Sequence, residues 1–246
     1  MRIFIDTPLA GLGEIELPRA AAEHVVRVLR MGPGQTITLF DGRGGEHRAT
    51  LTRAARGGVR AQLGAHDPVE RESPLAVTLL QAVSRAEKMD WVLQKATELG
   101  VAAIRPVLAE RSVMRLDADR AGRRQAHWLG VLRSACEQCG RNRVPALLPP
   151  APLAASCEQF RATDAAAPAL LLDPRAQASL ARAVGGARSA ALLVGPEGGW
   201  SERELAIAQA HGFTTARFGP RVLRTETAAI AALAALQAWA GDLGAD

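Results

Sequence analysis

The chain lacks the features that define several large protein classes. Its 246 residues include three cysteines, only two lysines (Lys88 and Lys95) and no apolar run long enough to cross a bilayer. A spanning helix needs about 20 predominantly apolar residues, whereas the longest candidate, 228–240, is mostly alanine. No membrane contact is expected. The opening stretch, MRIFIDTPLAGLGEIELP, meets Asp6, Glu14 and Glu16 before any long apolar segment, unlike a signal peptide. Cys136, Cys139 and Cys157 are an odd number in a chain without an export pattern. That argues against a disulfide framework and for a reducing, cytoplasmic setting. Cys136 and Cys139 form a C-x-x-C, but no second Cys or His pair accompanies them and Cys157 has no near partner, so no metal site is expected. Burial as small hydrophobes is the simpler role. No G-x-G-x-x-G follows the first strand of the α/β region, which leaves a nicotinamide dehydrogenase unsupported.

The basic charge is almost wholly arginine: 28 against two lysines, with a net charge of +5. Much of the excess is local, because residues 111–143 hold eight arginines against Asp117, Asp119 and Glu137. Such a cluster reads as a solvated helix face or as the footprint of phosphate-backbone binding. Arginine's planar fork suits phosphate better than lysine does. Arg123 and Arg124 are adjacent within it, and Gln138, Arg141 and Asn142 form a polar group after a long helix. These three read either as RNA contacts or as neighbours of a helix end closed by Gly140. His127 and His211, lone histidines on helices, read as surface or packing residues.

The first seventy residues read as a β-rich module. Strands are expected over Arg2–Ile5, Gln35–Asp41, Glu46–Thr52 and Val59–Gly64, with turns at Asp41-Gly42 and Gly57-Gly58. A helix over Pro18–Met31 would place Ala22, Val25, Val26 and Leu29 on one face. The charged, proline-containing stretch His66–Pro74 marks a boundary, giving domains at 1–70 and 75–246. Beyond it, strands over Leu75–Val83, Ala102–Leu108, Ala169–Asp173, Ala190–Val194 and Thr214–Phe218 alternate with helices, including Ala86–Leu99, Asp117–Gln138 and Thr225 to about Ala240. This alternation predicts an α/β domain with a mainly parallel sheet covered on both faces.

Two glycine-punctuated turns carry the functional signal. Gly195-Pro196-Glu197-Gly198-Gly199 ends one strand, and Ser201-Glu202-Arg203-Glu204 then reads as an N-cap and first helical turn. Gly219-Pro220 ends the next strand, and Thr225-Glu226-Thr227 opens the last helix, with Arg221 and Arg224 between them. One such turn is weak evidence for a ligand. Two, separated by one helix and one strand, bring their loops to the same carboxyl edge of a parallel sheet, where open α/β folds bind ligands.

The strings GPEGGWSERE and FGPRVLRTETAAIAAL resemble the C-terminal signature of the SPOUT class of S-adenosylmethionine-dependent RNA methyltransferases, and within it the 16S ribosomal RNA uridine-N3 methyltransferase family. The likeness extends through KMDWVLQKATELGVAAIRPV, SACEQCGRNRVP and HVVRVLRMGPGQTITLFDGRG, and so covers nearly the whole chain. Phe218 departs from the family's usual leucine, one apolar residue for another. The resemblance implies a PUA-like β-barrel RNA-binding module followed by a SPOUT domain with a deep C-terminal trefoil knot, and a homodimer acting on ribosomal RNA within the small ribosomal subunit. The cofactor loops it implies contain Leu172, Asp173, Gly195, Pro196, Glu197, Gly198, Gly199, Gly219, Leu223, Arg224, Thr225, Thr227 and Ala228. Arg27 and Arg30 in the N-terminal block join Arg123, Arg124, Gln138, Arg141 and Asn142 as implied RNA contacts. Asp173 has a second reading, as the cap of a following helix.

Methyl transfer to uridine N3 requires loss of the N3 proton and stabilisation of negative charge spreading to O2 and O4. Arg224 is the expected charge stabiliser, its alternative being an ion pair with Glu197 or Glu226. Those two carboxylates are the candidate bases, with Glu226 also placed to serve its helix dipole. Two other functions fit the same residues: a SPOUT enzyme acting on another RNA such as tRNA, and a catalytically silent RNA-binding protein of the same fold.

Overall fold

The computed structural model describes residues 1–55, 57–112, 118–180 and 184–244. The chain divides into two compact units, Met1–Glu72 with Arg133–Val144, and Ser73–Leu132 with Pro145–Asp246.

In the first unit, strands β1 (Arg2–Phe4), β2 (Glu14–Glu16), β3 (Thr36–Phe40), β4 (Glu46–Ala55) and β5 (Gly58–Asp67) form one sheet in the order β1-β3-β4-β5-β2. β4 and β5 alternate buried and exposed residues over their first halves, as antiparallel strands with one covered face do. Their inward side chains join Ile3, Ile5, Leu9, Val25, Ile37 and Leu39 in a single core. The expected helix Pro18–Met31 is instead a short α1 (Arg19–Glu23) that widens into a π-helical turn at His24–Val28. Leu29 N–H donates to His24 O at 3.0 Å, and Arg30 then takes φ 52°. Val25, Val26 and Val28 are β-branched and weak helix formers. The π turn leaves Val25 fully buried.

Residues 133–144 belong to this unit because ion pairs and buried amide bonds hold them there. Arg141 Nε donates to Glu72 Oε1 at 3.0 Å, Asn142 Nδ2 donates to Val69 O at 2.8 Å, and Phe4 N–H donates to Glu137 Oε1 at 2.8 Å. Arg2 donates to Arg141 O at 3.1 Å and pairs with Glu46.

The second unit is built on β6 (Ala76–Ala82), β7 (Ala103–Leu108), β8 (Ala146–Leu147), β9 (Ala151–Pro152), β10 (Ala169–Leu172), β11 (Ser189–Val194) and β12 (Thr214–Ala216). Every pairing among them is parallel; the order is β12-β10-β11-β6-β7-β8, with β9 also on β7. β6 and β11 are buried almost throughout, as coverage of both faces requires. The helices are α2 (Ala86–Glu98), α3 (Ala118–Cys139), which belongs to this unit only as far as Leu132, α4 (Leu153–Thr163), α5 (Glu202–Ala210) and α6 (Thr225–Ala240). Leu153 and Phe160 of α4 and Leu205 of α5 pack with Leu80, Leu171 and Leu193 of the sheet, while α6 packs on α2, β6 and β11. Asp117, where the long helix was expected to start, and Arg115 lie outside the described residues, as do the side chains of Asp119 and Arg120. From β6 the chain moves to β7 and β8 on one side, whereas β10, β11 and β12 all lie on the other; the connection after β6 leaves towards β7 and the one after β11 leaves towards β12. The switch point therefore lies between β6 and β11, and ligands of open α/β sheets bind at such a point beyond the carboxyl ends of the strands.

Candidate functional site

The first glycine turn leaves β11 at Val194 and enters α5 through a complete capping box. Glu204 N–H donates to Ser201 Oγ at 3.1 Å and Ser201 N–H donates to Glu204 Oε2 at 2.9 Å. The second carboxylate oxygen of Glu204 accepts from Glu110 N–H at 2.9 Å, so the buried side chain also ties down the loop after β7. The glycines here are required for different reasons. Gly199 has φ +67° and open space where a Cβ would project. Gly198 has no positive φ, but a Cβ there would lie 2.9 Å from Arg111 Cβ, and Arg111 Nη1 donates to Gly198 O at 3.1 Å. Gly195 lies against the Trp200 ring, which its Cβ would meet at 3.0 Å.

The second turn is tied to the first by Thr225, the first residue of α6. Its hydroxyl donates to Gly195 O at 2.6 Å and accepts from Gln81 Nε2, at the end of β6, at 3.0 Å. The ends of β6 and β11 and the start of α6 are thereby fixed around one point. Lys88, in the first turns of α2, adds a second tie: its Nζ lies 3.3 Å from Glu197 Oε1 and 3.2 Å from Glu226 Oε2.

Between these turns and the loop after β10 is a cavity of about 590 Å³. Of the residues expected in a site, Leu172, Asp173, Gly195, Pro196, Glu197, Gly198, Gly199, Leu223, Arg224, Thr225 and Ala228 line it; Gly219, Glu226 and Thr227 do not. Leu172, Val194, Trp200, Phe218 and Leu223 give it apolar surface, while Lys88, Arg111, Arg175, Arg221 and Arg224 outnumber Asp173 and Glu197. The Trp200 indole N–H is buried and has no hydrogen-bond partner among the described residues. Asp173 caps no helix; it folds back on Arg175, accepting from its backbone N–H at 2.9 Å and from Nε and Nη2 at 3.1 Å. Burial alone would raise the Asp173 pKa, but these bonds and the guanidinium charge outweigh it and hold the carboxyl below its ordinary value.

Arg224 is exposed at the cavity, and among the described residues it takes part in no ion pair, because Lys88 engages both Glu197 and Glu226. The alternative reading of Arg224 as the partner of those acids is thus corrected. Lys88 and Arg111 were absent from the sequence-derived site. Lys88 stands in the KMDWVLQK block, one of only two lysines in the chain, but nothing local in the sequence aims it at residues more than 100 positions away.

The expected RNA contacts separate into two groups. Arg27, Arg30, Arg123 and Gln138 are exposed and Arg124 is half-buried. Arg141 and Asn142 are buried and bonded inside the first unit, so their polar atoms are committed to folding rather than presented outward. His127 pairs with Asp90 at 2.8 Å and His211 Nδ1 lies 2.8 Å from Ile207 O, local roles for both.

Two family models match: one described as an RNA methyltransferase domain over residues 71–237, the other as an RNA methyltransferase PUA domain over 17–64. The ribosomal RNA small subunit methyltransferase E of Buchnera aphidicola subsp. Schizaphis graminum is 30% identical over 242 residues, 98% of this chain and 97% of that protein. Among solved structures, a ribosomal RNA small subunit methyltransferase E from Neisseria gonorrhoeae bound to S-adenosyl methionine superposes with a TM-score of 0.90 at 38% identity, covering 98% of each chain. A putative methyltransferase from Legionella pneumophila in complex with its cofactor SAM gives 0.92 at 39% identity, again over 98% of each.

Proposed function

The chain belongs to the ribosomal RNA small subunit methyltransferase E family, and from that premise we propose that it uses S-adenosylmethionine to methylate N3 of a uridine in 16S ribosomal RNA within the small ribosomal subunit. The observation that carries this reading is the cavity between the two tied glycine turns, at the carboxyl ends of β10, β11 and β12. Its residues fit the cofactor. Leu172, Val194 and Leu223 supply an apolar wall for adenine, and the backbone at Gly198 and Gly199 supplies polar groups at the wall. The open space at Gly199 admits close approach to the backbone. When bound, the cofactor supplies an electrophilic methyl group carried on a sulfonium.

The chain's own contribution is electrostatic. As the uridine N3 proton leaves, negative charge spreads to O2 and O4, and Arg224, which lines the cavity and takes part in no ion pair among the described residues, is the group we assign to stabilise it. Glu197, at the cavity wall, and Glu226, just outside it, remain the candidate bases, both bridged to Lys88. Arg27, Arg30 and Arg123 offer exposed guanidinium groups for RNA phosphates. The family resemblance supports a homodimer and a knotted C-terminus. Trp239, half exposed on α6, is a candidate for the dimer contact. The chain returns from the edge strand β12 to α6 on β6 and β11, a path compatible with such a knot.

Nucleoside analysis of 16S RNA from cells with and without the protein tests the reading. Loss of a 3-methyluridine supports it; loss of a tRNA modification instead would favour the other substrate.

A further inference from the structure

Lys88 is the charged group at the switch point that neither glycine turn accounts for. It follows β6, whereas Glu197 follows β11 and Glu226 opens α6, so one ammonium joins the segments on both sides of the switch. All three side chains are substantially shielded, with 29%, 26% and 17% exposure for Lys88, Glu197 and Glu226. An ion pair of that kind is screened less than one at the surface. The Thr225 bond to Gly195 fixes the backbone at the start of the same turn and Arg111 holds Gly198 O, while Lys88 holds the turn's one charged side chain, Glu197, against α6.

We propose that Lys88 is a positioning residue for the cofactor loops: by bridging Glu197 and Glu226 it holds the first glycine turn against the start of α6, and by occupying both acids it keeps Arg224 from pairing with them. This rests on the proposed cofactor reading. Without Lys88 the two carboxylates are left uncompensated, the turn loosens, and Arg224, which lines the same cavity, becomes available for them to recruit.

Three variants test it: Lys88→Met, which keeps length and removes charge; Lys88→Arg, which keeps charge; and Glu226→Gln, which removes one arm outside the cavity lining. Calorimetric titration gives S-adenosylmethionine affinity, and amide hydrogen exchange of the ligand-free protein reads the order of 197–199 and 225–228 independently of any methylation. Lys88→Met should weaken cofactor affinity at least ~5-fold, the low end of typical coupling between sites, and should speed exchange in both segments. Lys88→Arg should restore most of each. If Lys88→Met does not fold, Glu226→Gln carries the same test with a smaller expected loss. Wild-type affinity and unchanged exchange in folded Lys88→Met, or in Glu226→Gln where that variant stands in, would overturn the proposal. Uniformly faster exchange across the second unit with affinity retained would also overturn it, by reducing Lys88 to general stability. If the unaltered protein binds no S-adenosylmethionine, the function reading fails first, and the exchange data still decide whether Lys88 orders the turns.

Discussion

Replacing Thr225 with valine keeps the side chain's shape and removes one oxygen. That oxygen donates to Gly195 O at 2.6 Å and accepts from Gln81 Nε2 at 3.0 Å, in a side chain that is 5% exposed. In the variant, Gln81 Nε2 keeps its bond to Ala82 O, but Gly195 O loses its side-chain donor. Gly195 O is only partly buried, so its lost bond should cost about 1 kcal/mol, the low end of the range for a buried polar group left without a partner. With a urea m-value of about 2 kcal/mol/M, the unfolding midpoint should fall by roughly 0.5 M. All four tryptophans, Trp91, Trp128, Trp200 and Trp239, lie in the second unit, so their fluorescence during a urea titration reports on the unit that holds Thr225. Thr225→Ser, which keeps the hydroxyl, should retain most of the stability. A valine variant with a midpoint within about 0.2 M of wild type would refute the idea that this hydroxyl ties the two turns together.

Gly199→Val should abolish S-adenosylmethionine binding, because its side chain would enter the open space of the turn, and should also lower the urea midpoint, because φ +67° is strained for a β-branched residue; calorimetry on the folded variant decides it. Arg224→Ala should retain cofactor binding but lower single-turnover methylation about 100- to 1,000-fold, the effect of removing one charge-stabilising donor, whereas a wild-type rate would reassign Arg224 to structure. Burial pushes the Cys136 and Cys157 thiols up to about 12. Folded protein at about pH 8 should therefore alkylate first at the half-buried Cys139, as mass spectrometry would show, and early modification of Cys136 would contradict that burial.

The parts of the site legible in the sequence are those encoded locally. Gly195 to Gly199 followed by Ser201-x-x-Glu204 reads as a strand end, a turn and a capping box, and all three are present in order. Parallel strands with continuous apolar runs, such as Ala190 to Val194, were equally readable. What escaped depends on partners distant in sequence. Lys88 is one basic residue on an amphipathic helix until β11 and α6 bring Glu197 and Glu226 to it. Arg141 and Asn142 read in sequence as RNA contacts or as solvated neighbours of a helix end, but Glu72, Val69 and Arg2 turn them inward. Residues 133–144 thus pack with the N-terminal unit, although sequence order puts them well beyond the boundary expected near 70–75. The short strand Glu14–Glu16 has two exposed charged residues around Ile15 and carries too little periodicity to be seen before β5 pairs with it.

The most direct test of the central claim is methylation in vitro. Small ribosomal subunits from cells lacking the protein, incubated with purified protein and isotopically labelled S-adenosylmethionine, should acquire label as 3-methyluridine at a single 16S position when digested and resolved by mass spectrometry. Label appearing in another methylated nucleoside, or in tRNA and not in 16S RNA, would contradict the account.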